Sequence, residues 1–167
     1  PSCRPDLPEI QKEVDRGAIL TSEIELVLEL CPGTTIGITG SDGKTTTTSL
    51  IYEILKEENL KCYLGGNIGI PLFTKISEMK PEDYVVLELS SFQLMTMNVS
   101  PNVAVITNVT PNHLDIHKSY EEYIDAKKNI FKYQTSDDIL VLNYDNEITN
   151  DFANESKGTV RFFSTKS

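Results

Sequence analysis

Short runs of apolar residues alternate along the chain with longer segments in which apolar residues recur every three or four positions. The runs at 35–39, 61–64, 84–89, 103–106, 139–142 and 160–163 have the length of strands. The periodic segments at 7–14, 23–30, 44–58 and 119–133 have the length and spacing of helices. From residue 35 onward strands and helices alternate, which predicts βαβ units and therefore an α/β fold with a mainly parallel sheet flanked by helices.

The two longer helical segments each have an apolar face. In the segment 44–58 the predicted sheet-facing residues are Thr47, Leu50, Ile51, Ile54 and Leu55. In the segment 119–133 the apolar stripe consists of Tyr120, Tyr123, Ile124, Ile130 and Phe131, and Lys127 falls inside it. Either the stem of Lys127 packs while its ammonium group reaches water, or an anion or a modification of the amine accounts for its position.

A glycine-rich turn joins the first predicted strand to the first long helix. Residues 37–47 read GITGSDGKTTT and end in the Gly-Lys-Thr of a phosphate-binding loop, although Ile38 stands where the strict pattern has glycine. Backbone N–H groups and the helix N-terminus would bind phosphate oxygens, Lys44 would neutralise the β- and γ-phosphates, and the Thr45 hydroxyl would bind Mg²⁺. The order of strand, turn and helix favours this interpretation over a turn that only connects two elements.

Polar residues follow two other predicted strands, at the sheet edge where parallel α/β folds bind ligands. Glu88 lies near the C-terminal end of the apolar run 84–89, and we interpret it as a second magnesium ligand; the alternative is a strand-end carboxylate that reaches solvent. His113 follows the run 103–106 and is a candidate metal ligand or substrate contact. His117 is expected to be an ordinary exposed residue.

Composition restricts the partners. The 167 residues suit one domain, with 39% hydrophobic and 24% charged residues. The formal net charge of −10 argues against nucleic acid and anionic membrane surfaces as partners. Cys3, Cys31 and Cys62 form neither a disulfide framework nor a zinc pattern, and no apolar run approaches the roughly 18 residues of a membrane span. We therefore expect a cytoplasmic protein without membrane contact.

Four ordered segments carry a resemblance to a known family: GSDGKTT at 40–46, GGNIGIP at 65–71, LELSSFQL at 87–94 and NVTPNHLD at 108–115. Together they resemble the Mur ligases, ATP-dependent enzymes of peptidoglycan synthesis. The second and third segments are most similar to the branch that adds D-glutamate to UDP-N-acetylmuramoyl-L-alanine. The resemblance implies a central domain of P-loop NTPase type in which ATP phosphorylates the substrate carboxylate and the amine of D-glutamate attacks the acyl phosphate.

The resemblance also implies roles for individual residues. ATP would be bound by Gly40, Ser41, Asp42, Gly43, Lys44, Thr45 and Thr46. Two Mg²⁺ ions would be held by Thr45, Glu88, His113 and Lys127, the last as N6-carboxylysine. Lys44, His113 and Lys127 would act in catalysis, and Asn67, Ser90 and Gln93 would border the muramyl substrate.

By the same resemblance, residues 1–33 form a connector and residues 34–167 an incomplete central ATP-binding domain. The domains that bind the uridine diphosphate and the amino acid would lie outside the chain, so we expect the chain alone to be inactive. The complete enzyme is expected to be a monomer. An incomplete central sheet would expose a strand edge, which leads to the hypothesis that the chain self-associates.

Three alternatives remain open at this point. The chain could belong to a different Mur-type ligase, although the GGNIGIP and ELSSFQL segments argue against it. It could be a stand-alone P-loop nucleotide-binding module that acts as a switch. It could also have a purely structural role. Nucleotide binding that depends on Mg²⁺ together with Glu88 and Lys127 would distinguish a ligase site from a simple switch.

Overall fold

The fold is known from a computed structural model, which describes residues 5–111, 117 and 119–166. The strands are β1 (Thr34–Thr39), β2 (Cys62–Gly66), β3 (Tyr84–Glu88), β4 (Val103–Ile106), β5 (Ile139–Asn143) and β6 (Thr159–Phe163). The helices are α1 (Pro8–Asp15), α2 (Glu23–Leu30), α3 (Lys44–Glu57), α4 (Ser91–Leu94), α5 (Tyr120–Lys132) and α6 (Glu147–Asp151). Two 3₁₀ helices cover Phe73–Glu78 and Phe152–Glu155.

The six strands form one all-parallel sheet in the order β2-β3-β1-β4-β5-β6. Strand β1 lies between β3 and β4, so the carboxyl ends of these three strands are neighbours. The order of the strands changes direction here, and ligands bind at such a point in open α/β sheets. The predicted α/β fold with a parallel sheet is confirmed, and the topology brings residues 39–43, 88–91 and 107–111 to one edge.

Hydrophobic cores lie on both faces of the sheet. The larger core joins Ile24, Val27 and Leu28 of α2 and Tyr123, Ile130 and Phe131 of α5 to strand residues. The smaller core is formed by Ile36, Ile38, Val86 and Val105 under α3. Because α2 belongs to the larger core, this helix packs as part of the same unit as the sheet; the proposed domain boundary after residue 33 stays a prediction.

Side chains of α2 also bind loops beside the sheet. The Glu23 carboxylate accepts hydrogen bonds from the backbone N–H groups of Leu72 and Phe73, at 2.8 and 3.1 Å. Buried Glu25 accepts one from the N–H of Asn98 at 2.8 Å. The bond to Asn98 gives buried Glu25 the partner that burial demands, and together with those of exposed Glu23 it fixes α2 to the loops beside the sheet.

The predicted face of α3 is wrong in part. Leu50 and Ile54 are 57% and 60% exposed, whereas Thr48 is fully buried and Ile51 and Leu55 pack on the smaller core. The start of α3 is fixed by the turn that precedes it, and this sets which side of the helix faces the sheet. Apolar residues of α3 also occur outside the side that faces the sheet, so a prediction from apolar periodicity alone included the exposed residues Leu50 and Ile54.

None of the helices in the described part of the chain has the length and hydropathy needed to cross a bilayer.

Candidate functional site

A glycine-rich turn, the phosphate loop (residues 40–43), connects β1 to α3. Gly40 has φ of 153°, and a Cβ atom there would collide with the Thr107 hydroxyl group. Gly43 precedes the first helical residue with φ of 78°, in the left-handed region that favours glycine. Ile38, by contrast, is a fully buried residue of β1. The strand continues past the position where the strict pattern has glycine, so the turn needs glycine at residues 40 and 43 and not at residue 38.

The start of α3 offers hydrogen-bond donors at the carboxyl edge of the sheet. Lys44, Thr45 and Thr46 form the first turn of the helix, in which backbone N–H groups have no partner within the helix. The ammonium group of Lys44 donates to the carbonyl oxygens of Gly40 and Ser41, at 2.9 and 3.0 Å. Positive charge and free N–H groups therefore meet at one place, the arrangement that binds phosphate.

The loop after β4 holds the phosphate loop by hydrogen bonds. The Asn108 side chain accepts from the Asp42 N–H at 3.0 Å and donates to the Asp42 carbonyl at 3.1 Å. The Asn108 carbonyl accepts from the Ser41 N–H at 2.9 Å, and the Thr107 hydroxyl donates to the Asp42 carbonyl at 2.6 Å. The N–H groups of Ser41 and Asp42 are thus used inside the protein, and those of α3 remain for a ligand.

Glu88 is the buried carboxylate of the site, with 1% of its surface exposed at the end of β3. One oxygen accepts a hydrogen bond from the Thr45 hydroxyl at 2.7 Å, and the other accepts one from the Asn67 side-chain amide at 2.8 Å. The described residues provide no cation within ion-pair distance of Glu88. The alternative that this carboxylate reaches solvent is wrong.

The pair formed by Glu88 and Thr45 fits a magnesium ion. Mg²⁺ binds oxygen ligands at 2.0–2.1 Å in octahedral geometry, which puts neighbouring ligand oxygens about 3 Å apart. The Thr45 and Glu88 oxygens are 2.7 Å apart. The described residues contain no cluster of three or more His, Cys, Asp or Glu side chains around a possible metal, so water and a phosphate group would complete the coordination.

Lys127 lies on the other side of the phosphate loop, on α5, and is 1% exposed. Its ammonium nitrogen is 4.6 Å from the centre of the Tyr123 ring and 3.5 Å from Thr39 Oγ1. Burial, followed by the charge of Lys44, lowers the pKa of Lys127 to about 7. The burial excludes the alternative of an ammonium group that reaches water, and the amine is substantially neutral near pH 7.

The candidate substrate residues lie at the carboxyl ends of β2 and β3. Ser90 and Gln93 bind each other in a capping box at the start of α4: the Ser90 hydroxyl is 2.9 Å from Gln93 Oε1 and accepts from the Gln93 N–H at 3.2 Å. Gln93 and Phe92 also line a cavity of about 540 Å³ whose other wall is formed mainly by residues that precede β1. A substrate contact of Asn67, Ser90 or Gln93 stays a prediction.

The structure tests the prediction for one of the two histidines. His113 lies outside the described residues, so its metal role stays a prediction. His117 is 5% exposed, which makes the expectation of an exposed residue wrong. Its Nε2 lies 2.9 Å from the Ser91 hydroxyl, and its Nδ1 lies 3.6 Å from a Glu122 carboxylate oxygen.

Sequence reasoning also missed residues that hold the site together, chiefly Asn108 and the hydroxyl group of Tyr123. Tyr123 was identified only as part of an apolar stripe, yet its hydroxyl group lies 2.8 Å from Ser41 Oγ. The available signal was chemical, since a phenol in a buried stripe usually needs a hydrogen-bond partner. Which partner it finds depends on the tertiary fold.

Comparison with known proteins shows close relatives. The chain is 63% identical over 166 residues to the UDP-N-acetylmuramoylalanine–D-glutamate ligase of Acetivibrio thermocellus, covering 99% of this chain and 36% of the relative. It is 61% identical over 166 residues to the protein of the same name from Clostridium kluyveri, with the same coverage of 99% and 36%. The chain thus spans about a third of the length of these relatives.

A solved structure and a family description agree with these relatives. The MurF ligase of Thermotoga maritima, solved in complex with ADP, superimposes with a TM-score of 0.63 at 27% identity, covering 86% of this chain and 35% of that one. Residues 38–167 match the Mur ligase middle domain. The match covers most of the chain: the last two residues of β1 and all of β2 to β6. The chain therefore belongs to the Mur ligase family.

Proposed function

We propose that the chain is the nucleotide-binding middle domain of an ATP-dependent ligase that adds D-glutamate to UDP-N-acetylmuramoyl-L-alanine in peptidoglycan synthesis. The names of its relatives support this assignment, and the chain's 36% coverage of them supports a longer active protein. The chain alone is inactive in this proposal, because substrate and amino acid would be bound largely by other domains. Because ATP is a substrate in this proposal, the enzyme is proposed to act in the cytoplasm.

The observation that carries the proposal is the contact between Thr45 and Glu88 beside the start of α3. The helix N-terminus and Lys44 would bind the phosphates of ATP, and Thr45 and Glu88 would hold one Mg²⁺, which would supply positive charge beside the phosphates during transfer. The γ-phosphoryl group passes to the carboxylate of the muramyl substrate, the amine of D-glutamate attacks the acyl phosphate, and phosphate leaves as the amide forms.

Carboxylation of Lys127 is part of the same proposal. The neutral amine attacks the carbon of carbon dioxide, an N–C bond forms, and one proton passes to solvent, so a potential cation becomes an anion. The buried amine and its pKa of about 7 support this step, because a protonated amine cannot attack. With His113, the carbamate would provide ligands for a second Mg²⁺.

The muramyl substrate is proposed to lie along the carboxyl ends of β2 and β3, next to Asn67, Ser90 and Gln93. The cavity of about 540 Å³ beside Gln93 supports room for a ligand there. Asn67 also donates to Glu88, which joins the substrate side of the site to the metal side.

The proposal is tested by calorimetry of ATP binding with and without Mg²⁺, in buffer that contains bicarbonate. Lys44→Ala and Glu88→Gln test the phosphate and metal contacts. The matched control is Lys56→Ala, which removes an exposed lysine that is also on α3 and pairs with Glu53. We expect Mg²⁺-dependent binding that both site variants lose and the control retains.

The full-length protein gives the second measurement, a ligation assay with UDP-N-acetylmuramoyl-L-alanine and D-glutamate. Amide formation that requires both substrates supports the assignment, and transfer of another amino acid in place of D-glutamate would favour a different Mur-type ligase. If ATP affinity is the same with and without Mg²⁺ and is unchanged in Glu88→Gln, and if the full-length protein forms no amide, a nucleotide switch would be favoured instead.

A further inference from the structure

The hydroxyl group of Ser41 lies at the centre of a hydrogen-bond group behind the phosphate loop. It accepts from the Thr110 N–H at 2.9 Å, and it lies 3.1 Å from the Thr110 carbonyl and 2.8 Å from the Tyr123 hydroxyl. A carbonyl oxygen can only accept, so the single proton of Ser41 goes to Thr110. Tyr123 must then be the donor in its contact with Ser41.

The surroundings of Tyr123 agree with a donor role. Tyr123 is 1% exposed, and burial raises the pKa of its phenol above the ordinary value. The group therefore keeps its proton throughout the physiological range. Since both partners are buried, the hydrogen bond is shielded from water, and loss of the donor would leave Ser41 with an unsatisfied acceptor site.

Tyr123 also touches the other part of the site. It precedes Lys127 by one helical turn on α5, and the Lys127 nitrogen lies 4.6 Å from its ring centre. The hydroxyl end of Tyr123 thus holds the phosphate loop while its ring supports Lys127. On the opposite side, the loop is held by Asn108 and Thr107.

We propose that Tyr123 is a positioning residue that holds the phosphate loop against α5 through Ser41 and links the loop to Lys127. A loop held from both sides keeps the N–H groups at the start of α3 in place before a ligand arrives, which lowers the entropic cost of binding. The loop geometry stands on contacts within this chain; its consequence for ATP rests on the proposed function.

The variant Tyr123→Phe tests the proposal because it removes one oxygen atom and keeps the ring. A matched control is available on the same helix. The Tyr120 hydroxyl group is buried but has no hydrogen-bond partner among the described residues, so Tyr120→Phe removes the same atom without breaking a bond. Hydrogen exchange of backbone amides needs no nucleotide and reports loop opening directly.

We expect Tyr123→Phe to increase the rate of amide hydrogen exchange about three- to tenfold in residues 40–43 and at Thr110. This factor corresponds to the net free energy of one hydrogen bond. Exchange in β5 and β6 should not change, and Tyr120→Phe should leave the loop as in the wild type. Added to Ser41→Ala, the Tyr123 substitution should have no further effect, because the two residues act through one bond.

Three results would overturn the proposal: equal acceleration throughout the molecule, an unchanged loop, or additive effects of the two substitutions. If the proposed function also holds, Tyr123→Phe in the full-length protein raises KM for ATP by a similar factor and Tyr120→Phe does not. If hydrogen exchange of the phosphate loop is faster in Tyr123→Phe but the wild-type protein binds no ATP, the inference is retained and the proposed function is refuted. The two can therefore fail separately.

Discussion

Replacing Lys127 by methionine should stabilise the chain at neutral pH, because a buried lysine is costly to keep protonated. The pKa of Lys127 is about 7 in the folded chain against an ordinary 10.5. Between these values the unfolded chain binds more protons than the folded one, so stability rises with pH. The linkage relation gives a cost of about 4 kcal/mol at pH 7 that falls to about 1 kcal/mol at pH 10.

Methionine has a similar length and no charge, so Lys127→Met removes this cost while filling the space. The loss of the contact between the ammonium group and the Tyr123 ring offsets part of the gain, about 1 kcal/mol. We therefore expect the variant to be more stable than the wild type by about 3 kcal/mol at pH 7 and to have nearly the wild-type stability at pH 10.

Urea unfolding followed by circular dichroism at pH 7, 8.5 and 10, in buffer free of carbon dioxide, measures these differences. Lys128→Met is the matched control: Lys128 is the next residue, is partly exposed and pairs with exposed Glu155 at 2.7 Å. Its substitution should change stability by less than about 1 kcal/mol. Bicarbonate should stabilise the wild type and not Lys127→Met, since near pH 7 carbon dioxide reacts with the partly neutral amine of the folded chain and hardly with the protonated amine of the unfolded chain.

A stability difference between Lys127→Met and the wild type that is the same at pH 7 and pH 10 would refute the reasoning. It would mean that burial does not favour the neutral amine, and the structural support for carboxylation would disappear with it. A stabilising effect of bicarbonate on the Met variant would show that the anion acts elsewhere.

Three further predictions follow from the site and the sheet. Glu88→Gln keeps the contacts with Thr45 and Asn67 but removes a buried charge. Calorimetry should therefore show loss of Mg²⁺-dependent ATP binding, while thermal unfolding should occur at the wild-type temperature or above. A lower unfolding temperature would contradict this prediction. In urea unfolding, Gly40→Ala should destabilise the chain by about 2 kcal/mol or more, since its Cβ would collide with Thr107. Gly43→Ala should destabilise it by about 1 kcal/mol, because only its φ is unfavourable. Equal losses of stability in the two variants would argue against the close approach at Gly40. Strand β6 lies at the end of the sheet, and Phe162 on it is 46% exposed. Light scattering should therefore show concentration-dependent self-association that Phe162→Lys weakens. A strict monomer over a wide concentration range would refute this prediction.

The strands and the phosphate loop could be predicted from the sequence because their signals are local. Strand β4 occurs at the predicted residues, and the ends of β1 and α3 differ by one residue from those predicted. β-Branched runs, glycine at the turn and the Gly-Lys-Thr sequence each act over a few positions. Short elements such as α4 carry too few residues for a periodic signal, and they were missed.

Contacts between distant segments could not be predicted in the same way. Asn108 and Asp42 are joined by two hydrogen bonds across 66 residues of sequence, and Tyr123 meets Ser41 across 82. No spacing rule links such residues, because the order of strands in the sheet brings them together. The burial of His117 has the same origin: it contacts Ser91 from 26 residues away.

The electrostatics of the site favour a functional over a structural interpretation. Glu88 is a buried carboxylate and Lys127 a buried amine, each 1% exposed, yet neither has an ion-pair partner among the residues that the structure describes. A fold under selection for stability alone would pair or replace such groups, since an uncompensated buried charge is destabilising. A cation bound by Glu88 would compensate its charge, and a carboxylated Lys127 would need a cation as well, because the carbamate is an anion. The chain should therefore be less stable without these ligands than with them, and the difference in stability measures the free energy with which the site binds them.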